Sequence, residues 1–459
     1  MEIADRYKRA HMVGIGGVGM AALARLLKAQ GMCITGSDLT SSSTLQGLAQ
    51  DGFTVSEGHS AAQLGDADLL VYSAAIPESN VERLEAEARG IRCASRGEVL
   101  GEMSKARRTI AIAGTHGKTT TASMTTNILC KAGWGPDSLV GGEVDGRACT
   151  AVGAGEWLVV EADEYARSFH HLHPEVALVT CVEAEHLDCY GGIAEVEKAF
   201  VEFLHRLPPE GTVLVGGDDL VGDGVVGQLG RNCLSVGFGE GCDYRIEDLY
   251  QESQGSRFSL FYRDLHWAEF EIGVPGLHNV RNAAGAASMA HHMGVDGACC
   301  AAGLAGFRGV DRRFELKGDV DGIQVVDDYA HHPSEVAAAL QAARVSGRRI
   351  IAVFQPHLYT RTRDFKEGFA RELARADRVI LTDVYPAREK PIQGVDGQLI
   401  ATALHQRGYD KVDYIANYKD LVPFLSAQCK SGDIVLTMGA GNIGEIAEGL
   451  VEFLGGEAR

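Results

Sequence analysis

The stretch AGTHGKTTT carries the most specific chemistry in this sequence. Gly114, Thr115, His116, Gly117, Lys118, Thr119 and Thr120 follow an apolar run and open a helical pattern. Glycines at 114 and 117 let backbone N–H groups face a polyphosphate at a helix N-terminus. Lys118 adds a mobile cation for the β- and γ-phosphates, and the Thr119 hydroxyl is placed to ligate Mg2+. The spacing departs from G-x-x-x-x-G-K-[ST], because Ile112 stands where the first glycine would be. Such a loop needs a carboxylate close by. The buried-type strand WLVV runs into Glu161, Asp163 and Glu164, and period-2 alternation puts Glu161 and Asp163 on one face. One of these two is the expected Mg2+ ligand. The next strand ends at Glu183, Glu185, His186 and Asp188, where His186 is either a second metal ligand or a satisfied structural histidine.

A different glycine loop opens the chain. HMVGIGGVGM places Gly14, Gly16 and Gly19 in G-x-G-x-x-G after a short strand, with Asp38 ending a second strand. Taken alone it suggests an NAD(P)-dependent oxidoreductase, but that reading leaves GTHGKTTT, Glu161 and His186 without a task. GAGNIG repeats the spacing with Gly439, Gly441 and Gly444; there it predicts only a tight strand-to-helix turn. Two further strand-end turns are rich in polar groups. DDYAHHPSE holds Asp327, Asp328, Tyr329, His331 and His332, and QPHLYTRTRD holds His357, Tyr359, Arg361 and Arg363. Guanidinium groups at such turns suit bidentate capture of a carboxylate, with a solvated basic turn as the alternative.

The elements that carry these residues alternate strand and helix in three segments. Residues 1–107 read as a Rossmann-like domain, 108–311 as a central P-loop-type domain with a mostly parallel sheet, and 312–459 as a second Rossmann-like domain. The fold class is α/β throughout. KARR at 105–108 is the expected hinge between the first two domains. DYRIEDLY, RFSLFYRD and HWAEFEIGV alternate polar and apolar residues, which predicts an antiparallel side sheet.

Composition narrows the class. A chain of 459 residues with 45% hydrophobic and 23% charged residues is globular, and a formal charge of −19 argues against a nucleic-acid partner. No apolar run is long enough for a membrane span, and MEIADRYKRA has no signal-peptide core. Eleven cysteines without C-x-x-C pairing read as reduced thiols of a cytoplasmic enzyme.

GIGGVGM, GSDL, AGTHGKTTT, EADEYARSF, EAEHLDCYGG, GLHNVRNA, RRFE, DDYAHHP, FQPHLYTRTRD, LTDVYPA and LTMGAG together resemble the Mur ligase family of peptidoglycan synthesis, nearly end to end. The resemblance implies a three-domain, ATP- and Mg2+-dependent ligase that joins an amine to a sugar-acid carboxylate through an acyl phosphate. GIGGVGM with GSDL favours UDP-N-acetylmuramate and L-alanine as the reactants. The expected location is the cytoplasm, and the expected state is a monomer or weak homodimer. The nearest alternative is a ligase that joins a recycled tripeptide to the same sugar acid.

The resemblance also implies residue roles. Lys118 holds phosphates, Thr119 and Glu161 hold one metal, and His186 holds a second. Gly114, Thr115, His116, Gly117 and Thr120 complete the phosphate loop. His278, Asn279 and Asn282 contact adenine, and Arg313 and Asp327 contact the rest of the nucleotide. Gly16, Gly17, Gly19, Ser37, Asp38, His59 and Ser73 surround UDP. Tyr329, His331, Arg361 and Arg363 shape the amino-acid and acyl-phosphate site. Three positions depart from the family pattern: Leu358 stands for a frequent Arg, Cys181 for Asn, and Glu185 for Asp.

Overall fold

The computed structural model describes residues 3–457 apart from 145, 146, 149, 188, 219 and 388. Asp188 therefore lies outside the described residues. The chain forms two compact units, 1–248 with 258–271 and 281–307, and 249–257 with 272–280 and 308–459.

In the first unit, strands β1 (Arg9–Val13), β2 (Cys33–Asp38), β3 (Thr54–Glu57), β4 (Leu69–Tyr72) and β5 (Arg92–Ser95) form a sheet in the order β3-β2-β1-β4-β5. Every pair in it is parallel, as a doubly wound unit requires. The helix Val18–Ala29 follows the glycine loop and buries Met20, Leu23, Leu26 and Leu27.

The central sheet contains β6 (Arg108–Ala113), β7 (Asp137–Leu139), β10 (Trp157–Ala162), β11 (Val176–Val179), β12 (Thr212–Gly216), β13 (Leu234–Gly237), β14 (Tyr244–Glu252), β15 (Gly255–Tyr262) and β16 (Leu265–Ile272). Their order is β16-β15-β14-β13-β12-β11-β6-β10-β7. Short strands β8 (Glu143–Val144) and β9 (Arg147–Ala148) pair separately. Strand β6 is apolar along its length because both of its faces are covered, and Ile110 to Ala113 are fully buried. The alternating strands β14–β16 do not make a sheet of their own, contrary to expectation. β13 pairs in parallel with β14 through Val236↔Tyr244, so the alternating strands extend the central sheet. Arg263 and Asp264, between β15 and β16, both have positive φ, as a tight hairpin turn demands.

The KARR segment is a junction rather than a hinge. The helix Arg96–Ala106 runs almost directly into β6, Arg107 pairs with Asp137, and Arg108 pairs with Glu175 at 2.9 Å. One hydrophobic core also runs from Ile3 through Met103 and Ala111 to Leu229, which ties both sheets into a single unit.

In the second unit, β17 (Glu315–Val320), β18 (Ile323–Asp328), β19 (Arg349–Phe354), β20 (Arg378–Leu381), β21 (Val412–Tyr414) and β22 (Asp433–Met438) take the order β17-β18-β22-β19-β20-β21. Only β17 is antiparallel to its neighbour. Its polar sequence, ELKGDV, hides it from a reading based on apolar runs. Separate cores cover the two faces, one around Phe354 and Phe369, the other around Val325, Val353 and Leu450. GAGNIG is the expected turn between β22 and the helix Gly444–Glu457. Arg312 binds its backbone carbonyls, donating to Gly439 O at 2.6 Å and Gly441 O at 3.0 Å. Among the described residues, no helix is long and apolar enough to cross a membrane.

Candidate nucleotide and substrate sites

Sheet order explains why two acidic turns serve one phosphate loop. β6 lies between β10 and β11, with Ala113 level with Ala162 on one side and Val179 on the other. The loop that leaves β6 is therefore flanked by the turns that leave both neighbours. Gly117 caps the helix Lys118–Lys131 with φ +82°, and no side chain caps that helix start. A Cβ at Gly117 would sit 2.5 Å from Asn282 Oδ1, so Asn282 packs directly on the loop. From the β11 side, Thr115 N–H donates to Cys181 O at 2.9 Å and Glu183 N–H donates to Thr115 Oγ1 at 2.9 Å. Thr180 Oγ1 donates to His116 O, and His116 Nε2 lies 3.1 Å from Glu183 Oε2. Cys181 Sγ accepts His116 N–H at 3.4 Å.

Lys118 folds back over its own loop. Its Nζ donates to Gly114 O at 2.5 Å, Thr115 O at 3.1 Å and both oxygens of Glu164 at 2.8 and 3.1 Å. Burial pulls the Lys118 pKa down, but Glu164, Asp163 and Glu161 outweigh it and the net shift is upward. Burial likewise pushes Glu164 up, while Lys118 and His186 outweigh it and hold the carboxyl below its ordinary range. His186 Nε2 lies 3.6 Å from Glu164 Oε1, its ring edge-on to Tyr165. Glu164 thus joins the phosphate-loop cation to the histidine of the other acidic turn.

The expected alignment of Glu161 with Asp163 is not kept, because β10 ends at Ala162 and the alternation stops there. Glu161 Oε1 accepts Gly141 N–H at 3.0 Å, whereas Asp163 accepts Tyr165 N–H and faces Arg96. Thr119 and Thr120 are buried in the first helical turn, and Glu185 is buried in its own turn. The oxygen donors of Thr119 and Glu161 are of the kind that suits a hard divalent cation.

At the opening loop, Gly14 and Ile15 N–H donate to Ser37 O, and Gly16 N–H donates to Asp38 Oδ2 at 2.9 Å. Asp38 therefore braces the loop from within. Ser37 is fully buried, and its hydroxyl donates to Glu82 Oε2 at 2.6 Å instead of facing a ligand. His59 Nδ1 sits 3.0 Å from Ser37 Oγ and 3.1 Å from Glu82 Oε2. Burial raises the Glu82 pKa, but His11 and Ser37 outweigh it and lower it overall. Ser73 follows β4 beside Gly14.

The second unit gathers a separate cluster. Tyr329 and His331 meet edge-on at 5.2 Å, His331 lies 5.9 Å from His357, and His357 stacks on Tyr385. Arg361 is buried and donates to His357 Nδ1 at 3.2 Å. Arg363 does not join them. It points outward, half exposed, and is paired with Asp364 at 2.7 Å, because two residues further along a helix is the opposite face. Asp327 pairs with Arg312 at 2.9 Å, and Thr437 Oγ1 donates to its other oxygen at 2.6 Å. Arg313 instead faces Glu335 at 3.6 Å and lies over the Tyr329 ring. Burial pushes Asp328 up to about 7, although Phe314 and Ala330 N–H both donate to it. His278 and Asn279 belong to this unit's 272–280 segment, where Asn279 Nδ2 donates to Pro275 O at 2.7 Å.

Glu82, Glu335 and Arg312 were not singled out by sequence. For Glu335 a signal existed: HHPSE is a helix start with an acid at its third residue, and its carboxylate closes the capping box with His332.

A phosphate loop flanked by acidic turns, a glycine loop on a neighbouring sheet and a third α/β domain define a nucleotide-dependent enzyme of the ligase type. The chain belongs to the Mur ligase family. Residues 9–108 match the Mur ligase family catalytic domain, 112–290 the Mur ligase middle domain and 312–441 the Mur ligase glutamate ligase domain. It is 42% identical over 453 residues to the UDP-N-acetylmuramate–L-alanine ligase of Salinibacter ruber, covering 98% of this chain and 95% of the relative. The ligase of the same name from Caldanaerobacter subterraneus is 39% identical and covered at 98% in both chains. Among solved structures, the UDP-N-acetylmuramate–alanine ligase of Thermotoga maritima matches with a TM-score of 0.84 at 27% identity, covering 98% of this chain and 100% of the other. A murein peptide ligase from Psychrobacter arcticus matches with a TM-score of 0.71 at 26% identity, covering 98% and 99%.

Proposed function

We propose that this chain joins L-alanine to the carboxylate of UDP-N-acetylmuramate at the expense of ATP, in the making of peptidoglycan precursors. The observation that carries this reading is the coexistence, in one unit, of the Lys118 phosphate loop and the capless Gly14–Gly19 loop. The first suits ATP and the second suits the diphosphate of a UDP-sugar. Likeness to relatives named for this reaction supports it along nearly the whole chain.

In this reading, residues 1–107 bind the UDP-sugar, 108–311 bind ATP and 312–459 bind the amino acid. The sugar-acid carboxylate attacks the γ-phosphate, giving an acyl phosphate and ADP. The alanine amine then attacks the acyl carbon, and phosphate leaves from the tetrahedral intermediate. Lys118 and the loop N–H groups hold the phosphates while Arg361, His331 and Tyr329 orient the amino acid. Thr119, Glu161 and His186 would hold Mg2+, which supplies charge neutralisation. The protein acts in the cytoplasm as a monomer or weak homodimer.

Phosphate release from ATP, measured with UDP-N-acetylmuramate and L-alanine, glycine, L-serine or the tripeptide under Mg2+, tests this. Release specific to L-alanine is the expected result, and release specific to the tripeptide would overturn it.

A further inference from the structure

Glu82 is sealed from solvent at the start of the helix Val81–Ala88. That start is already capped by Asn80, whose side chain accepts the N–H groups of Glu82 at 2.9 Å and Arg83 at 3.3 Å, so the Glu82 carboxylate does no capping work. Its partners come instead from β1, β2 and the turn after β3. Oε1 faces His11 Nε2 at 3.5 Å and accepts Ser60 N–H at 3.3 Å. Oε2 accepts the Ser37 hydroxyl at 2.6 Å and faces His59 Nδ1 at 3.1 Å. Burial works against this carboxylate, but His11 and Ser37 outweigh it and keep it ionised. A sealed charge is costly to hold, and an apolar residue of similar size would pack at least as well.

The groups around this carboxylate differ in their access to solvent. His11 and Ser37 are closed off, and His11 Nδ1 is engaged by Thr35 Oγ1 at 2.8 Å, whereas the His59 side chain is 15% exposed. The position of the His59 hydrogen follows from its neighbours. An ionised carboxylate only accepts hydrogen bonds, and the Ser37 hydroxyl hydrogen is already given to Glu82. His59 Nδ1 therefore meets two acceptors, Glu82 Oε2 at 3.1 Å and Ser37 Oγ at 3.0 Å, and must carry the hydrogen itself. A neutral His59 ring then has its lone pair on Nε2, which has no hydrogen-bond partner among the described residues. The same turn is tied to the glycine loop. Gly58 N–H donates to Asp38 O at 2.7 Å, Asp38 Oδ2 accepts Gly16 N–H, and Ser37 O accepts Gly14 and Ile15 N–H. The carboxyl ends of β1, β2 and β3 thus share one edge, where open parallel sheets bind ligands.

We infer that Glu82 is a positioning residue that locks His59 in its Nδ1–H form, so that Nε2 is presented as a hydrogen-bond acceptor for an O–H or N–H donor on the uridine part of the substrate. This rests on the reading of the neighbouring glycine loop as the UDP-sugar site. Glu82 and Ser37 touch no substrate themselves; they act through the one ring that reaches the surface beside that loop.

The full chain labelled with nitrogen-15 histidine tests the lock and its ligand separately. Side-chain spectra at a pH where the ring is neutral, with the His59 signal assigned through His59→Phe, should show hydrogen on Nδ1 and none on Nε2. Glu82→Gln should shift that signal towards the Nε2–H form and weaken UDP binding, measured by titration calorimetry, by about 5-fold or more. His59→Phe should bring the same loss, and Glu82→Gln added to His59→Phe should bring no more, as when one residue acts through the other. Analogues identify the donor: 2′- and 3′-deoxy-UDP each lack one ribose hydroxyl, and CDP lacks the base N3–H. The unaltered protein should prefer UDP over at least one of them, and both single variants should lose that preference. An Nε2–H ring in the unaltered protein, a preference kept by His59→Phe, or a further loss in the double variant would overturn the role of Glu82. Should Glu82→Gln fail to fold, the ring form of the unaltered chain and the His59→Phe affinities decide alone. An Nδ1–H ring in a protein that binds no UDP would bring down the reading of the glycine loop, and with it the ligand assigned to Nε2.

Discussion

Lys118 Nζ lies 2.8 Å from Glu164 Oε2, and both side chains are withdrawn from water, with 16% and 2% of their surface exposed. In the proposed reaction, nucleotide would take over this cation from Glu164 and from the loop carbonyls it binds. Removing either partner leaves the other charge buried, a change that typically costs about 3–5 kcal/mol. Lys118→Met and Glu164→Gln should therefore each lower the melting temperature of the nucleotide-free chain. The double variant should lose less than the sum of the two. Additive losses in thermal unfolding would show that the pair is not coupled. Lys118→Ala should also cut phosphate release by at least about 10²-fold with UDP-sugar binding intact.

Arg361 and Arg363 sit two residues apart and should respond oppositely to substitution. Arg361 is buried against His357, in the cluster with His331, whereas Arg363 is turned outward to Asp364. Arg361→Ala should raise the KM for L-alanine by about 10-fold or more. Arg363→Ala should change it by less than about twofold, as expected for an exposed ion pair. Equal effects in steady-state kinetics would remove the distinction drawn from the two orientations.

The two glycine loops and the strands beneath them were legible in the sequence because their signals are local. An apolar run, a glycine pattern and a following helix need no knowledge of neighbours. Which acid serves which loop is a different matter. Glu161, Asp163 and Glu164 are closely spaced acids around a strand end, and only the position of β6 between β10 and β11, with the end of β10 at Ala162, gives Glu164 to Lys118 and Asp163 to Arg96. The pairing of Asp327 with Arg312 and Thr437 is likewise set by the neighbouring strand and turn, which residue type alone does not give. Helix phase explains Arg363, which a residue-type reading could not separate from Arg361. The edge strand β17 was missed because polar residues and an internal glycine give no alternation to read.

Gly117 tests the loop's backbone demand. Its φ of +82° suits glycine, and a Cβ there would press on Asn282 Oδ1 at 2.5 Å. Gly117→Ala should raise the KM for ATP while leaving UDP binding unchanged. Asn282→Ala clears the contact, so the melting temperature lost by Gly117→Ala in the nucleotide-free chain should be partly recovered in the double variant. Failure of the double variant to recover any of that melting temperature would mean that backbone strain alone sets the cost to the fold.

Asp328 gives a pH dependence whose sign is fixed by its burial. Its carboxyl titrates at about 7 in the folded chain, against an ordinary value of 3.8. Below pH 3.8 the group is protonated whether folded or unfolded, so the stability it contributes is fully present. Between that value and about 7, the folded chain holds a proton that the unfolded chain has released, and stability falls with rising pH. The slope is at most about 1.4 kcal/mol per pH unit. Above about pH 7 both states are ionised and the loss is complete. Asp328→Asn removes the titration. It keeps one acceptor oxygen for the Phe314 and Ala330 N–H groups, so its baseline should drop by about 1 kcal/mol. The difference in melting temperature between the unaltered chain and Asp328→Asn should therefore favour the unaltered chain only below about pH 4.5 and move steadily in favour of Asp328→Asn from about pH 5 to 8. A difference that stays constant from pH 5 to 8 would show that the Asp328 carboxyl ionises without cost to the fold.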